Sequence, residues 1–548
     1  MTERFAEKAY INGEIYTVDT NQPWVEAVAT LGGNIIYVGN NDQVKPFIDE
    51  NTIVTDLKGK MMLPGFHDTH VHLISGGMQE NKCTLNDLDT IDLVLARIAW
   101  YIQRSKLAQD EWVHCSGLNM TLSDQVTIEQ LDRVSDGRPL YIQTADGHSM
   151  WVNSCVLDLA GITEDVPDPP QGEIVRQPGT NIPTGFLHDF AAQIVKDIIP
   201  TASMAERIAG LKTGMKIAHQ FGITSVLEPG MDDHLLSPYV RLNDDNKLFL
   251  RVRASISPIH WQPGAFGDDI VDFIETRDQY VRENINVESV KMYIDGVLEN
   301  GSAVLLEPYL KEEFNGHLPF YPQDELDSYI TWLDKKGLQI HLHAIGDGGV
   351  RMALDAFEAA QKSNGKKDNR HTICHLQMID PQDVPRFEEL GVCASFQPLW
   401  AQPDEWVVDL NIPTLGEERL KKFYVINSVH KTGGIVAGGS DWFVTSLNPL
   451  EAIATAIRRQ DPFSPKDAPT LNPEEAVDIE TMIGAYTING AYLMHQEHKT
   501  GSIEVSKKAD LIILDQNICK IPATEIHKTK VIKTIFDGKI VYDSEAGL

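Results

Sequence analysis

Cysteine is scarce and unpaired in this chain. The six cysteines stand at 83, 115, 155, 374, 393 and 519, with no C-x-x-C spacing. That pattern predicts reduced, mostly buried thiols in a cytoplasmic protein, and suggests neither thiol chemistry nor a thiolate zinc site. Basic side chains are also in deficit. Against 79 Asp and Glu there are 47 Lys and Arg, a formal net charge of −32. Such a surface repels phosphate backbones and anionic lipid, so neither nucleic acid nor a membrane is expected as a partner. No run of about 18 uncharged apolar residues occurs, which excludes a membrane-spanning helix. The opening Met1-Thr-Glu-Arg-Phe-Ala-Glu-Lys-Ala-Tyr10 has no apolar core of the kind a signal peptide needs. Internal repeats and low-complexity tracts are absent as well.

What remains is the composition of a large enzyme-sized core. Hydrophobic residues make up 42% of 548 and charged residues 23%, enough for an enlarged barrel plus an accessory module. Both ends look like β-meander. Tyr10 to Val18 places Asn12-Gly13 between two β-prone runs, a hairpin signal; Gly32-Gly33 and Asp537-Gly538 mark further turns. Residues 1–60 and 490–548 are therefore expected to form one composite β-sandwich domain, the alternative being two unrelated end caps. Residues 61–489 alternate apolar β-branched runs with helical stretches, as parallel βα units do. Candidate strands are 62–72, 222–227, 248–256, 289–294, 339–343, 372–376, 392–396 and 435–438. Eight such strands predict an α/β fold, a (β/α)8 TIM-like barrel. The first two are separated by about 130 residues more than a crossover needs, so an inserted subdomain is expected at about 76–205.

Four strands end in residues that bind metal. Met61 to His72 ends in His70-Val-His72; alternate strand side chains share a face, so both imidazoles can serve one cation. Gln339-Ile-His-Leu-His343 repeats the spacing, and a glycine follows where the chain must pass close to something. Thr372-Ile-Cys-His375 adds a histidine, and Ala437-Gly-Gly-Ser-Asp441 an aspartate, each at a strand's C-terminal end. Any one of these reads equally well as a hydrogen-bonded strand-end residue. Together they fall on the face of a barrel where active sites form. His67 has the wrong parity to ligate beside His70 and His72, and His371 at a strand's start reads as structural.

This pattern resembles the amidohydrolase superfamily, over nearly the whole chain. The closer likeness is to its YtcJ-like branch, which includes N-substituted formamide deformylase. It rests on Asp146-Gly-His-Ser149, Trp151-Val-Asn-Ser154, Pro183-Thr-Gly-Phe-Leu187 and His343-Ala-Ile-Gly-Asp347, with Thr500-Gly-Ser-Ile-Glu504 and Lys508-Ala-Asp-Leu-Ile512 in the end domain. The resemblance implies a metal set of His70, His72, His343, His375 and Asp441, with Lys291 matching the lysine that two-metal members carboxylate. Carboxylation needs a neutral amine, which desolvation and nearby cations favour. The alternative is an unmodified Lys291 paired with an acid such as Asp295. His343 rather than His341 is chosen on the fifth strand because it precedes Ala-Ile-Gly-Asp. The stretch Gly172 to Gln177 lacks the acid that often follows the arginine in this branch.

The chemistry these residues imply is hydrolysis of a non-peptide C–N bond, an amide or formamide, with zinc as one or two divalent ions. A cation bound this way brings the pKa of water to roughly 7. Asp441 would act as base and then acid, and His148 or His343 would assist the oxyanion. Trp151, Trp400 and Trp442 are candidates to line an apolar substrate pocket, though each reads equally as core. The substrate is expected to be a small molecule, and a homo-oligomer is left open. A deaminase or lactonase on the same site, or a catalytically silent regulatory or scaffold barrel, are the competing readings.

Overall fold

Eight parallel strands follow one another around a single sheet in the computed structural model, which describes residues 5–86, 88–145, 147, 149–169, 172–257, 268–299, 301–314 and 318–546. They are β1 (Phe66–Asp68), β2 (Ile223–Met231), β3 (Arg251–Ile256), β4 (Ile285–Tyr293), β5 (Gln339–Ala344), β6 (Thr372–His375), β7 (Cys393–Phe396) and β8 (Ile435–Gly438). The sheet is covered on both faces, so all six residues of β3 and all four of β6 and β7 are buried. Backbone bonds close the ring between its first and last strands. Thr69 N donates to Gly438 O at 3.1 Å and Asp441 N donates to His70 O at 2.7 Å. The fold is thus the expected α/β barrel, and its strands' C-terminal ends converge on one rim.

Chain segments from both ends build a separate β-rich domain. Leu511–Leu514 pairs antiparallel with Met61–Pro64, which in turn pairs parallel with Glu14–Tyr16. Ile15, Met62, Ile503, Leu511 and Ile535 share one core there. A buried bidentate ion pair ties this domain to the barrel: Arg251, opening β3, donates to Asp510 at 2.7 and 3.2 Å.

The chain forms two compact units, Met1–His72 with Met215–Leu548, and Leu73–Gly214. The second carries a six-stranded mixed sheet in the order Gly172–Arg176, Pro183–Asp189, Met150–Val152, Leu140–Thr144, Val113–Leu118, Cys83–Thr84. Its helices Ile91–Ser105 and Ile128–Ser135 bury Val94, Ile98 and Leu131 in a common core with Leu118 and Ile142. No described helix is long and apolar enough to cross a membrane.

Two local expectations are corrected. The turns at Gly32-Gly33 and Asp537-Gly538 are hairpins, with Leu31 opposite Asn34 and Phe536 opposite Lys539. Asn12-Gly13 is not. Lys8–Ile11 pairs with Ala27–Leu31 and Ile53–Asp56, whereas Glu14–Tyr16 belongs to the other sheet. Asn12, with φ of 56°, turns the chain between sheets, and Gly13 sits so close to Leu57 that a Cβ would collide with it. The run 62–72 is likewise not one strand. Gly65 divides it into Met61–Pro64, which joins the β-domain, and β1, which ends at Asp68. His70 and His72 therefore lie beyond the strand, and strand parity is not what aligns them.

Candidate metal centre

Past Asp68 the chain leaves β1 and is pinned to the loop after β8. The Asp68 carboxylate accepts from the backbone N–H of His70 and of Ser440, both at 3.0 Å. His72 N donates to Trp442 O at 2.8 Å. Gly439 makes this approach sterically feasible, since a Cβ there would stand 2.8 Å from His70 N. Burial pushes the Asp68 carboxyl up to about 7, against the pull of its hydrogen bonds from Ser440 and His70. Asp441, held at φ of 54°, then faces both imidazoles. Its Oδ1 lies 3.5 Å from His70 Nε2 and 3.3 Å from His72 Nε2. These three donors lie within 4.8 Å of one another.

His375 closes the next side. It ends β6 at φ of 76°, followed by Leu376 at 52°, an unusual pair of left-handed non-glycine residues of the kind found at functional sites. Its Nδ1 lies 2.9 Å from Gln397 Oε1. The Gln397 amide thus holds the His375 ring through Nδ1, which also lies 3.9 Å from Asp441 Oδ2. Trp400 stacks on this ring at 5.6 Å and 4°, anchored by its indole N–H on Thr445 Oγ1 at 3.1 Å. The His375 ring lies 4.7 Å from that of His70 and 4.5 Å from that of His343.

Strand β5 contributes two imidazoles, because His341 and His343 share its inner face. His343, at the rim, has Nε2 3.1 Å from Gly296 O and 3.8 Å from Asp295 Oδ1. His341 lies deeper and is fully buried, with Nε2 2.9 Å from His70 Nδ1. Lys291 on β4 is buried beside them, opposite His341 in the sheet register. It does not pair with Asp295. Its Nζ donates to Cys374 Sγ at 3.0 Å and lies 4.8 Å from the centre of the Tyr293 ring. Asp295 instead accepts from the backbone of Val304, Ile345 and Gly346, while burial raises its carboxyl to about 7. Among the described residues no carboxylate lies within ion-pair distance of Lys291 Nζ.

Burial holds the imidazoles of His70, His341 and His375 well below their ordinary value, with Lys291 and neighbouring histidines adding to the effect. They are neutral at physiological pH, the state a metal ligand requires. Neutral nitrogens with one carboxylate form a donor set that suits a borderline divalent cation such as zinc. The residues present therefore fit such an ion.

Residues 54–542 match the amidohydrolase family, a span that includes every donor just described. The chain belongs to that family. It is 27% identical to the putative amidohydrolase YtcJ of Bacillus subtilis, across 97% of this chain and 98% of that one. Identity to the N-substituted formamide deformylase of Arthrobacter pascens is 26%, over 97% and 98% of the two chains. A metal-dependent hydrolase from Pyrococcus horikoshii shares the fold, with a TM-score of 0.76 at 22% identity, covering 94% of this chain and 99% of the other. The amidohydrolase family and its YtcJ-like relatives are thus those the motifs indicated, a family of metal-dependent hydrolases acting on C–N bonds.

Other expected site residues of this amidohydrolase fall in different places. His148 lies outside the described residues. Trp151 packs in the core of the Leu73–Gly214 unit, stacked on Phe186 at 4.8 Å and 11°. Trp442 is buried beside Asp441 and supplies the carbonyl that holds His72. His67 turns away from the donors, with Nε2 2.9 Å from Thr500 Oγ1. His371 is structural, 3.1 Å from Asp334 Oδ1 and stacked on Phe357. Sequence reasoning passed over Asp68, Gln397 and Cys374. The first two carry no motif, being an acid two residues before His70 and an amide just past β7. Cys374 adjoins His375, and only a strand end bent at positive φ lets consecutive side chains reach one site.

Proposed function

We propose that this amidohydrolase cleaves a non-peptide C–N bond, in an amide or an N-substituted formamide of a small molecule. The reading rests on one observation: Asp441 faces His70 and His72 at the rim of the barrel, within a cluster of imidazoles. His70, His72, Lys291, His343, His375 and Asp441 would hold one or two divalent ions, zinc by preference. When bound, such an ion supplies Lewis acidity, polarising a carbonyl and acidifying water.

The chain's own residues do the rest. Asp441 takes a proton from the attacking water and returns it to the departing nitrogen. His343 at the rim steadies charge on the carbonyl oxygen, with His148 a second candidate. Trp400, flat against His375, offers an aromatic wall to an apolar substituent, and Trp442 keeps the Asp441 loop in place; Trp151 is left to the insertion's core. Lys291 is suited to carboxylation. A buried ammonium without a carboxylate partner is costly, whereas the neutral amine can add carbon dioxide, forming an N–C bond and releasing one proton. The formal net charge of −32 supports placing it in the cytoplasm with neither nucleic acid nor membrane as partner.

The test is a panel of amides, formamides, lactones and amino-heterocycles, run with metal analysis on the purified protein. Formation of amine with formate or another carboxylate supports the reading. Ammonia released from a ring would make it a deaminase. Hydrolysis without nitrogen release would make it a lactonase. Inertness of a metal-replete protein across the panel would favour a regulatory barrel.

A further inference from the structure

The inside of the barrel holds one more donor that neither the motif pattern nor the family's ligand set includes. Cys374 lies opposite His343 in the register between β5 and β6, so it faces the same interior as the histidines. His375 follows at a positive φ, off the strand geometry, and its ring borders the same site as the Cys374 sulfur. Its sulfur is completely enclosed. It donates to Leu342 O at 3.2 Å and receives the Lys291 ammonium at 3.0 Å. Sγ and one nitrogen each of His70 and His375 all lie within 4.8 Å of one another. Around a tetrahedral ion with bonds of about 2.0 Å to nitrogen and 2.3 Å to sulfur, ligand atoms stand roughly 3.5 Å apart. Side-chain rotations of about an ångström would bring these three donors to that spacing. His341, fully buried against His70, keeps an Nδ1 with no partner among the described residues, so the cluster has a further unused donor.

From this geometry we infer that Cys374 is a thiolate ligand of the ion held beside His375. The inference rests on the metal-dependent reading above. The sulfur now faces Lys291 Nζ. Once Lys291 is carboxylated, a metal ion takes that place against the sulfur. Binding forms an S–metal bond, breaks the S–H bond and releases the proton to solvent. A soft donor in an otherwise nitrogen and oxygen site biases the protein toward zinc, cobalt or cadmium and away from magnesium.

Cobalt(II) reports a thiolate directly. The full-length protein is stripped of metal and reloaded with one and then two equivalents of cobalt chloride, with bound cobalt measured after desalting. A near-ultraviolet sulfur-to-cobalt charge-transfer band is expected in the wild-type protein. Cys374→Ser should lose that band while retaining at least half the cobalt, and cadmium affinity should fall about tenfold or more. Cys374→Ala serves as the second variant if the serine protein does not fold. Stoichiometric cobalt with no band, or a band that survives in both variants, overturns the inference and leaves the proposed hydrolase standing. Failure of the wild-type protein to take up cobalt at all overturns both.

Discussion

Asp441 sits where three demands meet: a backbone forced to positive φ, contact with two imidazoles, and a loop pinned through Asp68 to the end of β1. Asp441→Asn is therefore expected to cost several orders of magnitude in kcat with circular dichroism unchanged, because the base and one metal contact are lost together. A near-normal rate would remove Asp441 from the mechanism. Lys291 tests the number of ions. Lys291→Ala should halve the metal content measured by atomic emission, and a short-chain carboxylic acid should partly restore turnover by occupying the vacated space. An unchanged metal count would mean that one ion suffices, and Lys291 would then act on the substrate or a neighbouring side chain. Gln397 acts through His375, whose Nδ1 lies 2.9 Å from its amide. Gln397→Ala frees the ring to rotate and to change tautomer, so metal affinity should drop about 10- to 100-fold. Competition with a chromophoric chelator measures this.

At the scale of elements, the barrel depends on contacts that local propensity does not reveal. The β1 extension and the β8 loop approach so closely that Gly439 has no room for a side chain. Gly439→Ala should displace His70 and reduce metal content with little change in secondary structure, a separation that metal analysis beside circular dichroism would show. The Arg251–Asp510 pair joins β3 to the β-domain and is almost wholly buried on both sides. Removing only the guanidinium leaves a buried carboxylate with the Asp537 backbone N–H at 2.7 Å and, among the described residues, no counter-charge. Arg251→Ala should thus cost about 3–5 kcal/mol, read from denaturant midpoints. A loss below about 1 kcal/mol would mean that water reaches Asp510.

Over the whole molecule, buried neutral histidines set the acid limit. His219, buried with Nε2 2.9 Å from Phe249 O, is driven down to about 4 by burial, against the pull of that hydrogen bond. His67 is driven to about 3 by burial in the same way. Because these folded-state values lie below the ordinary 6.5, the unfolded chain takes up protons first as pH falls. Their contribution is fully present above about pH 6.5 and declines from there to about 4 for His219, by up to roughly 3 kcal/mol, and to about 3 for His67. Asp68 and Asp295, raised to about 7, oppose this slope, so a variant is needed to isolate it. Plotted as melting temperature against pH, His219→Gln should show a shallower fall from 6.5 to 4 than wild type. Superimposable curves would show that His219 is protonated in the folded state.

The amino-acid sequence by itself determined the barrel, the β-rich domain drawn from both ends, and the insertion between the first two barrel strands. Each is written in local periodicity: aliphatic runs bounded by turns, spaced for parallel units, with one gap too long for a crossover. It also marked His70, His72, His343, His375 and Asp441 as candidate donors, since they stand where strands run out. Tertiary structure alone decided how those donors are oriented. His70 and His72 lie past the end of β1, so the Asp68 and Trp442 contacts align them, not the alternation of a strand. Asn12-Gly13 has the composition of a hairpin turn, yet its flanking strands found partners in two different sheets. Lys291 pairs with Cys374 and leaves Asp295 to three backbone amides, a choice made by residues far apart in the chain. Periodicity is a property of neighbours along the chain. The partner of a buried polar group is fixed by desolvation, which penalises every arrangement that leaves it unpaired and acts only once the barrel has closed around it.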